Sequence, residues 1–251
     1  MAEISLSNIT KQFGETRALN DVSLDIPSGG VFVVMGLSGS GKSTLIRHIN
    51  RLIEPTSGTV TFDGQDITAL DAKALREFRR RSVSMVFQGF GLMPHLNVLD
   101  NVAFGLVARG EAKDLAHATA RDWIQAVGLD GRERAWPNEL SGGMKQRVGL
   151  ARALATGTDT LLMDEAFSAL DPLIRADMQD LLLDLRRKTD NTVVFVTHDL
   201  AEAVRIGDRI AILHEGRLVQ TGTPADILDH PADDYVARFV TVAGRGLQRR
   251  S

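Results

Sequence analysis

The chain has 251 residues, 43% of them apolar and 24% charged, enough to bury one substantial core in the manner of an ordinary globular protein. A formal net charge of −3 excludes a broad electrostatic footprint for nucleic acid or anionic lipid, and the absence of cysteine excludes disulfides and thiolate metal sites. Met1-Ala2-Glu3-Ile4-Ser5 carries no basic stretch leading into an apolar one, so no signal peptide is expected, and no apolar run approaches the roughly 20 residues that cross a bilayer.

Ile4 to Ile9 and Ala18 to Ile26 alternate apolar and polar residues, as half-buried strands do, whereas Val31 to Met35 is a continuous apolar run suited to a strand buried on both faces. A glycine-rich break, Gly36 to Gly41, separates it from a helix expected from Lys42 to about Leu52. Next come a strand at Gly58 to Phe62, a charged helix at Asp71 to Arg81 and an apolar strand at Val83 to Phe87. From Gly89 to about Trp136 helical patterns take over, around Asn97 to Ala108 and Asp114 to Val127, followed by a helix from Ser141 to Ala155 with Ser141 placed as its N-cap. Buried strands at Thr160 to Met163 and Thr192 to Thr197 flank a helix near Pro172 to Lys188. Strands at Arg209 to Leu213 and Arg217 to Thr221, and helices near Pro224 to Leu228 and Asp233 to Phe239, complete the chain, with Gly244 to Ser251 expected to fray. Strands alternating with helices indicate an α/β core with a parallel sheet.

Gly36-Leu37-Ser38-Gly39-Ser40-Gly41-Lys42-Ser43, followed by Thr44, fits the G-x-x-x-x-G-K-[ST] phosphate loop between a buried strand and a helix start. Glycines let successive N–H groups curl around a polyphosphate, and the helix turns its positive end to that anion. Lys42 is expected to reach the outer phosphates of ATP and Ser43 to hold Mg²⁺. A second apolar strand ends in paired acids, Asp164 and Glu165; the first is expected in the Mg²⁺ shell and the second to polarise the attacking water.

Leu140-Ser141-Gly142-Gly143-Met144 resembles the ABC signature, a second phosphate-gripping helix start. The other elements of that family follow in order. Gln88 matches the Q-loop glutamine, Ser168-Ala169-Leu170-Asp171 the D-loop, and His198 the switch histidine; Phe13 stands where the family stacks an aromatic on adenine, although a lone Phe also suits a core. The resemblance covers residues 3 to 240 and implies a P-loop NTPase fold. Residues 1–88 and 159–240 would form a core with an N-terminal antiparallel β subdomain, 89–158 a helical subdomain and 241–251 a tail. It also implies catalytic roles for Glu165, His198 and Gln88, Mg²⁺ contacts from Ser43, Gln88 and Asp164, and ATP contacts from Phe13, the loop, Ser141, Gly142, Gly143 and Asp171. A head-to-tail dimer on ATP is implied, docked on the cytoplasmic face of a permease through a groove at Gln88 to Asn101, with a substrate-binding protein as indirect partner.

Asn50 to Thr56, Leu92 to Leu96 with Val98 to Asn101, Met163 to Arg175 and Arg205 to Arg209 resemble importers of quaternary amines such as glycine betaine, proline betaine, choline and carnitine. Importers of histidine, another amino acid or an organosulfur compound, soluble ABC ATPases of translation or repair, and exporter cassettes are the alternatives. Gly30, Gly89 and Gly91 depart from that subfamily, where a glutamate, a serine and an alanine are usual. Its members often carry paired CBS domains as a C-terminal regulatory module, and ionic-strength sensing through such a module is not expected here. Arg76, Arg79, Arg80 and Arg81 form a basic run suited to a solvated helix face or to a permease or lipid contact.

Overall fold

A computed structural model describes the backbone of residues 2–189 and 191–247. In chain order the elements are β1 (Ile4–Phe13), β2 (Thr16–Ile26), β3 (Val31–Met35), α1 (Lys42–Ile49), β4 (Ser57–Phe62), β5 (Gln65–Asp66), α2 (Ala72–Arg81), β6 (Val83–Phe87), α3 (Val98–Ala108), α4 (Lys113–Ala126) and α5 (Gly142–Ala155). They continue with β7 (Thr160–Asp164), α6 (Pro172–Arg186), β8 (Thr192–Thr197), α7 (Leu200–Ile206), β9 (Arg209–His214), β10 (Arg217–Gly222), α8 (Pro224–Asp229) and α9 (Asp234–Leu247). The chain divides into two compact units, Met1–Leu75 with Thr192–Ser251, and Arg76–Asn191.

The first unit holds an antiparallel sheet in the order β2-β1-β4-β5 and a run of strands in the order β10-β9-β3-β8. All five residues of β3 are buried, and it pairs in parallel with β8 on one side and β9 on the other. That burial on both faces explains its unbroken apolar sequence. In β2, by contrast, Val22, Leu24 and Ile26 are buried while Asp21, Ser23 and Asp25 face out, the alternation of a strand with one wet face. The second unit pairs β6 with β7 in parallel and packs α3, α4 and α5 on one another through Val102, Ala103, Leu106, Ala120, Ile124 and Val148.

Three helices differ from the sequence reading. α1 ends at Ile49, short of Leu52, because Arg51 takes a left-handed φ of 51°. Its guanidinium is spent on the carbonyls of Ile67 and Leu70, at 2.9 and 2.6 Å, and on Glu54. α9 runs on to Leu247, so residues 244–247 continue a helix; Gly244 and Gly246 cost it only about 1 kcal/mol each. Gln248 to Ser251 lie outside the described residues. Helix α7, unforeseen in the sequence, is one short segment capped by Asp199, whose carboxylate accepts from the Ala201 and Glu202 amides. Among the described residues no helix is long and apolar enough to cross a membrane.

Candidate nucleotide site

In the first unit Met35 pairs with Thr197, so Gly36 and His198 leave the ends of adjacent parallel strands. Carboxyl ends of such strands are where open α/β sheets bind ligands. The loop then doubles back: the Ser40 amide donates to the Leu37 carbonyl at 3.2 Å. Lys42, 4% exposed, lays its Nζ 2.9 Å from the same carbonyl. Gly41 has φ 100°, and a Cβ there would stand 2.6 Å from the Ala18 carbonyl oxygen, so glycine is required twice over. Among the described residues no side chain caps α1 and no acid stands in its first turn. Among the described residues, then, no N-cap side chain and no first-turn acid competes with an anion for the positive end of the helix. Leu37, Ser38 and Gly39 are exposed on the outer face, and Ser43 and Thr44 follow in the first turn, half-buried.

Phe13 ends β1 with 49% of its surface exposed, so it is not a core residue; Lys11 Nζ lies 4.9 Å from its ring centroid. His198 is exposed on a braced turn. The Thr197 hydroxyl donates to Glu202 at 2.5 Å and accepts the Asp199 amide at 3.0 Å, while Asp199 caps α7.

The second unit repeats the device. Phe87 pairs with Asp164, so Gln88 and Glu165 also leave adjacent parallel strand ends. Asp164 is 3% exposed. Glu165 has φ 45°, a left-handed backbone that is strained for a side chain of its size. Ser168 holds that strain: its amide and its hydroxyl both donate to the Glu165 carbonyl, at 3.1 and 2.8 Å. Gln88 Nε2 donates to the same hydroxyl at 3.3 Å, so Ser168 ties the two residues together. Asp171 spends an oxygen as the N-cap of α6, accepting the Ile174 amide at 3.1 Å. Ser141 caps α5, accepting the Met144 amide at 3.3 Å, and lies exposed with Gly142. A Cβ on Gly143 would stand 2.7 Å from the Ile174 Cγ2 methyl, so any larger residue there requires Ile174 to shift.

The ABC transporter family matches residues 19–168. The chain belongs to the ABC transporter family. It is 56% identical over 236 residues to the glycine betaine/proline betaine transport system ATP-binding protein ProV of Salmonella typhimurium, covering 94% of this chain and 59% of that protein. Against the glycine betaine/carnitine transport ATP-binding protein GbuA of Listeria monocytogenes the identity is 54%, with the same coverages. The chain thus spans 59% of the length of these relatives. The dimeric post-hydrolysis structure of the ATP-binding cassette MJ0796 bound to ADP and Pi superposes with a TM-score of 0.80 at 35% identity, over 88% of this chain and 98% of that one. The α/β cassette fold expected from the motifs is therefore the fold of this ABC family member.

The structural roles of two residues of this cassette, Arg152 and Asn101, were not foreseen from the sequence. Arg152 sends Nη1 to the Gly91 carbonyl at 2.6 Å and Nη2 toward that of Phe90 at 3.4 Å, and burial holds its guanidinium below the usual arginine range. It clamps the turn after Gln88, where Phe90 and Gly91 both have left-handed φ, of 64° and 58°. The one trace in the sequence is Gly91, noted only as a departure from the subfamily. Asn101, fully buried, donates to the carbonyls of Met93, Leu96 and Asn97 and accepts the Met93 amide, fixing the loop before α3.

Proposed function

We propose that the chain binds and hydrolyses ATP to drive an importer of quaternary amines, glycine betaine foremost. The observation that carries this reading is α1, whose start combines an uncapped, acid-free turn with a glycine loop and a buried lysine folded across it. The relatives named above transport glycine betaine with proline betaine or carnitine, and a further one, at 52% identity, is the trimethylamine N-oxide transport ATP-binding protein of Ruegeria pomeroyi. All of these solutes share a nitrogen stripped of N–H groups. Methionine and sulfate/thiosulfate import proteins follow at 43%.

In this reading Phe13 stacks on adenine, the loop Gly36 to Thr44 cradles the phosphates, and Lys42 turns from the Leu37 carbonyl to the outer phosphates. Glu165 orients the water whose oxygen attacks the γ-phosphorus as the bond to the β-phosphate oxygen breaks, giving ADP and phosphate, and His198 supports the γ-phosphate. Ser43, Asp164 and Gln88 carry hard oxygen donors that would suit Mg²⁺, and Gln88, whose Nε2 donates to Ser168, would offer its Oε1. Bound there, Mg²⁺ would supply positive charge to offset that of the phosphates. Ser141, Gly142, Gly143 and Asp171 act on the nucleotide of a second copy in a head-to-tail dimer; in support, the relative of known structure is a dimer bound to ADP and Pi.

The permease reading gains support from a groove of about 240 Å³ within the second unit. Val83, Met85 and Phe104 provide apolar walls, and Arg79, Arg80, Arg109 and Arg152 stand around them, with no acid among the described lining residues. Phe104 is 46% exposed there. An apolar helix bearing carboxylates, from an integral-membrane permease at the cytoplasmic face, is the complementary occupant. The lining comes from α2, β6, α3 and α5 and, among the described residues, holds none of the Gln88 to Asn101 segment expected to form the groove.

The test is co-purification with a candidate permease and its binding protein, followed by ATPase assays across a solute panel. Stimulation by glycine betaine or choline supports the reading. Stimulation by an amino acid or organosulfur compound alone overturns the cargo and keeps the engine; failure to retain any membrane partner overturns the transport role.

A further inference from the structure

The single tyrosine of the chain, Tyr235, stands in the first turn of α9. Its ring lies flat on His214, with centroids 3.7 Å apart and planes 11° from parallel, and Phe239, one turn on, meets it edge-on at 5.1 Å. His214 ends β9, and its neighbours press on the phosphate loop. The Leu213 carbonyl oxygen would be 2.3 Å from a Cβ on Gly36, and the Gly216 amide donates to the Ser40 carbonyl at 3.2 Å. The stack thus bears on the turn that braces the loop.

The tyrosine hydroxyl is sealed from solvent and makes no hydrogen bond of normal geometry among the described residues. A buried hydroxyl left in that condition is costly, which marks it for a partner that the bound state brings into line. The backbone it faces is that of Leu37. Burial holds the phenol above its ordinary range; the Leu37 backbone pulls the other way, and the carboxylates of Asp233 and Glu215 add to the rise. Leu37 is also the residue whose carbonyl holds Lys42. When Lys42 turns toward a phosphate, that carbonyl loses one of its two donors and keeps the Ser40 amide, so Leu37 is held less firmly. The group beside it is the tyrosine hydroxyl.

We propose that Tyr235 is a positioning residue of the nucleotide site, steadying the Leu37 peptide as Lys42 leaves it, so that phosphate binding and the seating of α9 are coupled. The proposal rests on reading the loop as an ATP site. Coupling is reciprocal: nucleotide tightens the tyrosine contact, and whatever loosens the start of α9 weakens nucleotide. A tyrosine that merely anchors α9 would show neither effect.

The test uses the full chain labelled with ¹³C at the phenolic carbon of tyrosine, which yields one signal. That signal is expected to move on titration with ADP or MgATP, saturating in step with the affinity measured by calorimetry. Tyr235→Phe keeps the ring stack and removes the hydroxyl; its ATP affinity is expected to fall about fivefold, the fold-change of one neutral hydrogen bond, with turnover at saturating ATP retained. A signal that stays still at saturating nucleotide overturns the proposal, as does a Tyr235→Phe chain that binds ATP like the parent. If Tyr235→Phe also lowers the melting temperature of the nucleotide-free chain, the tyrosine signal alone decides. A parent chain that binds no ATP overturns the nucleotide reading, and this proposal with it.

Discussion

Helices α1 and α5 both begin at a glycine-containing turn with no acid in the first turn, yet they are built differently. α1 has Gly41 as its N-cap, no side-chain cap, and Lys42 buried at its first position. α5 carries its own cap, Ser141, with no lysine at its first three positions. A helix start without a side-chain cap is satisfied from outside, and α1 adds a full positive charge to its dipole end. A self-capped start stands alone and offers an anion only what remains, namely exposed amides and a serine proton. The first arrangement suits a primary phosphate cradle within one chain; the second suits a closing contact on a phosphate held elsewhere.

The same contrast orders the expected effects of substitution. Glu165→Gln touches neither helix start and removes the group that orients water, so turnover is expected to fall about a thousandfold while ATP binding survives, measured by steady-state hydrolysis beside calorimetry. Normal turnover would remove Glu165 from its role. Lys42→Ala strikes α1 alone: loss of a charged hydrogen-bonding group is expected to weaken ATP binding about a hundredfold. If affinity survives, the lysine is only a lid on its own loop. Ser141→Ala strikes α5 alone, and the lost cap costs about 1 kcal/mol of stability. Affinity of the isolated chain for ATP is expected to hold and hydrolysis to fall; equal loss of both would erase the distinction between the two starts.

The smallest effect concerns the far end of α1. His48 is fully buried, with Nδ1 2.7 Å from the Thr44 carbonyl, which makes Nδ1 the donor and leaves Nε2 sealed without a partner among the described residues. Burial holds its pKa below 6.5; the Thr44 carbonyl opposes that shift, Lys11 adds to it, and Glu54 opposes it. The unfolded chain then takes up a proton before the folded one does. Stability is therefore level above the ordinary histidine range and falls as pH drops from there toward the folded pKa. Denaturant midpoints at about pH 7.5 and about pH 5.5 should differ by less in His48→Leu than in the parent. An unchanged difference would mean that other groups carry the acid response.

Local chemistry made much of this legible. The buried run Val31 to Met35, the glycine loop after it and the serine before Gly142 are readable because strand burial, φ freedom and capping depend on a few adjacent residues. The end of α1 was not readable, because Arg51 stops it through carbonyls 16 and 19 residues away. Nor was the extension of α9, since glycine weakens a helix without forbidding it.

The residue types at the site, and the order in which they occur, belong to the sequence itself, since a phosphate cradle demands glycine, lysine and a hydroxyl at short fixed spacings. Tertiary structure alone decided which strand ends lie side by side, Met35 with Thr197 and Phe87 with Asp164. It decided that Ser168 joins Gln88 to Glu165, that Arg152 grips a turn 61 residues away, and that Tyr235 stacks beside the phosphate loop. Those contacts depend on strand register and on packing across long loops. No short-range pattern in the chain encodes either.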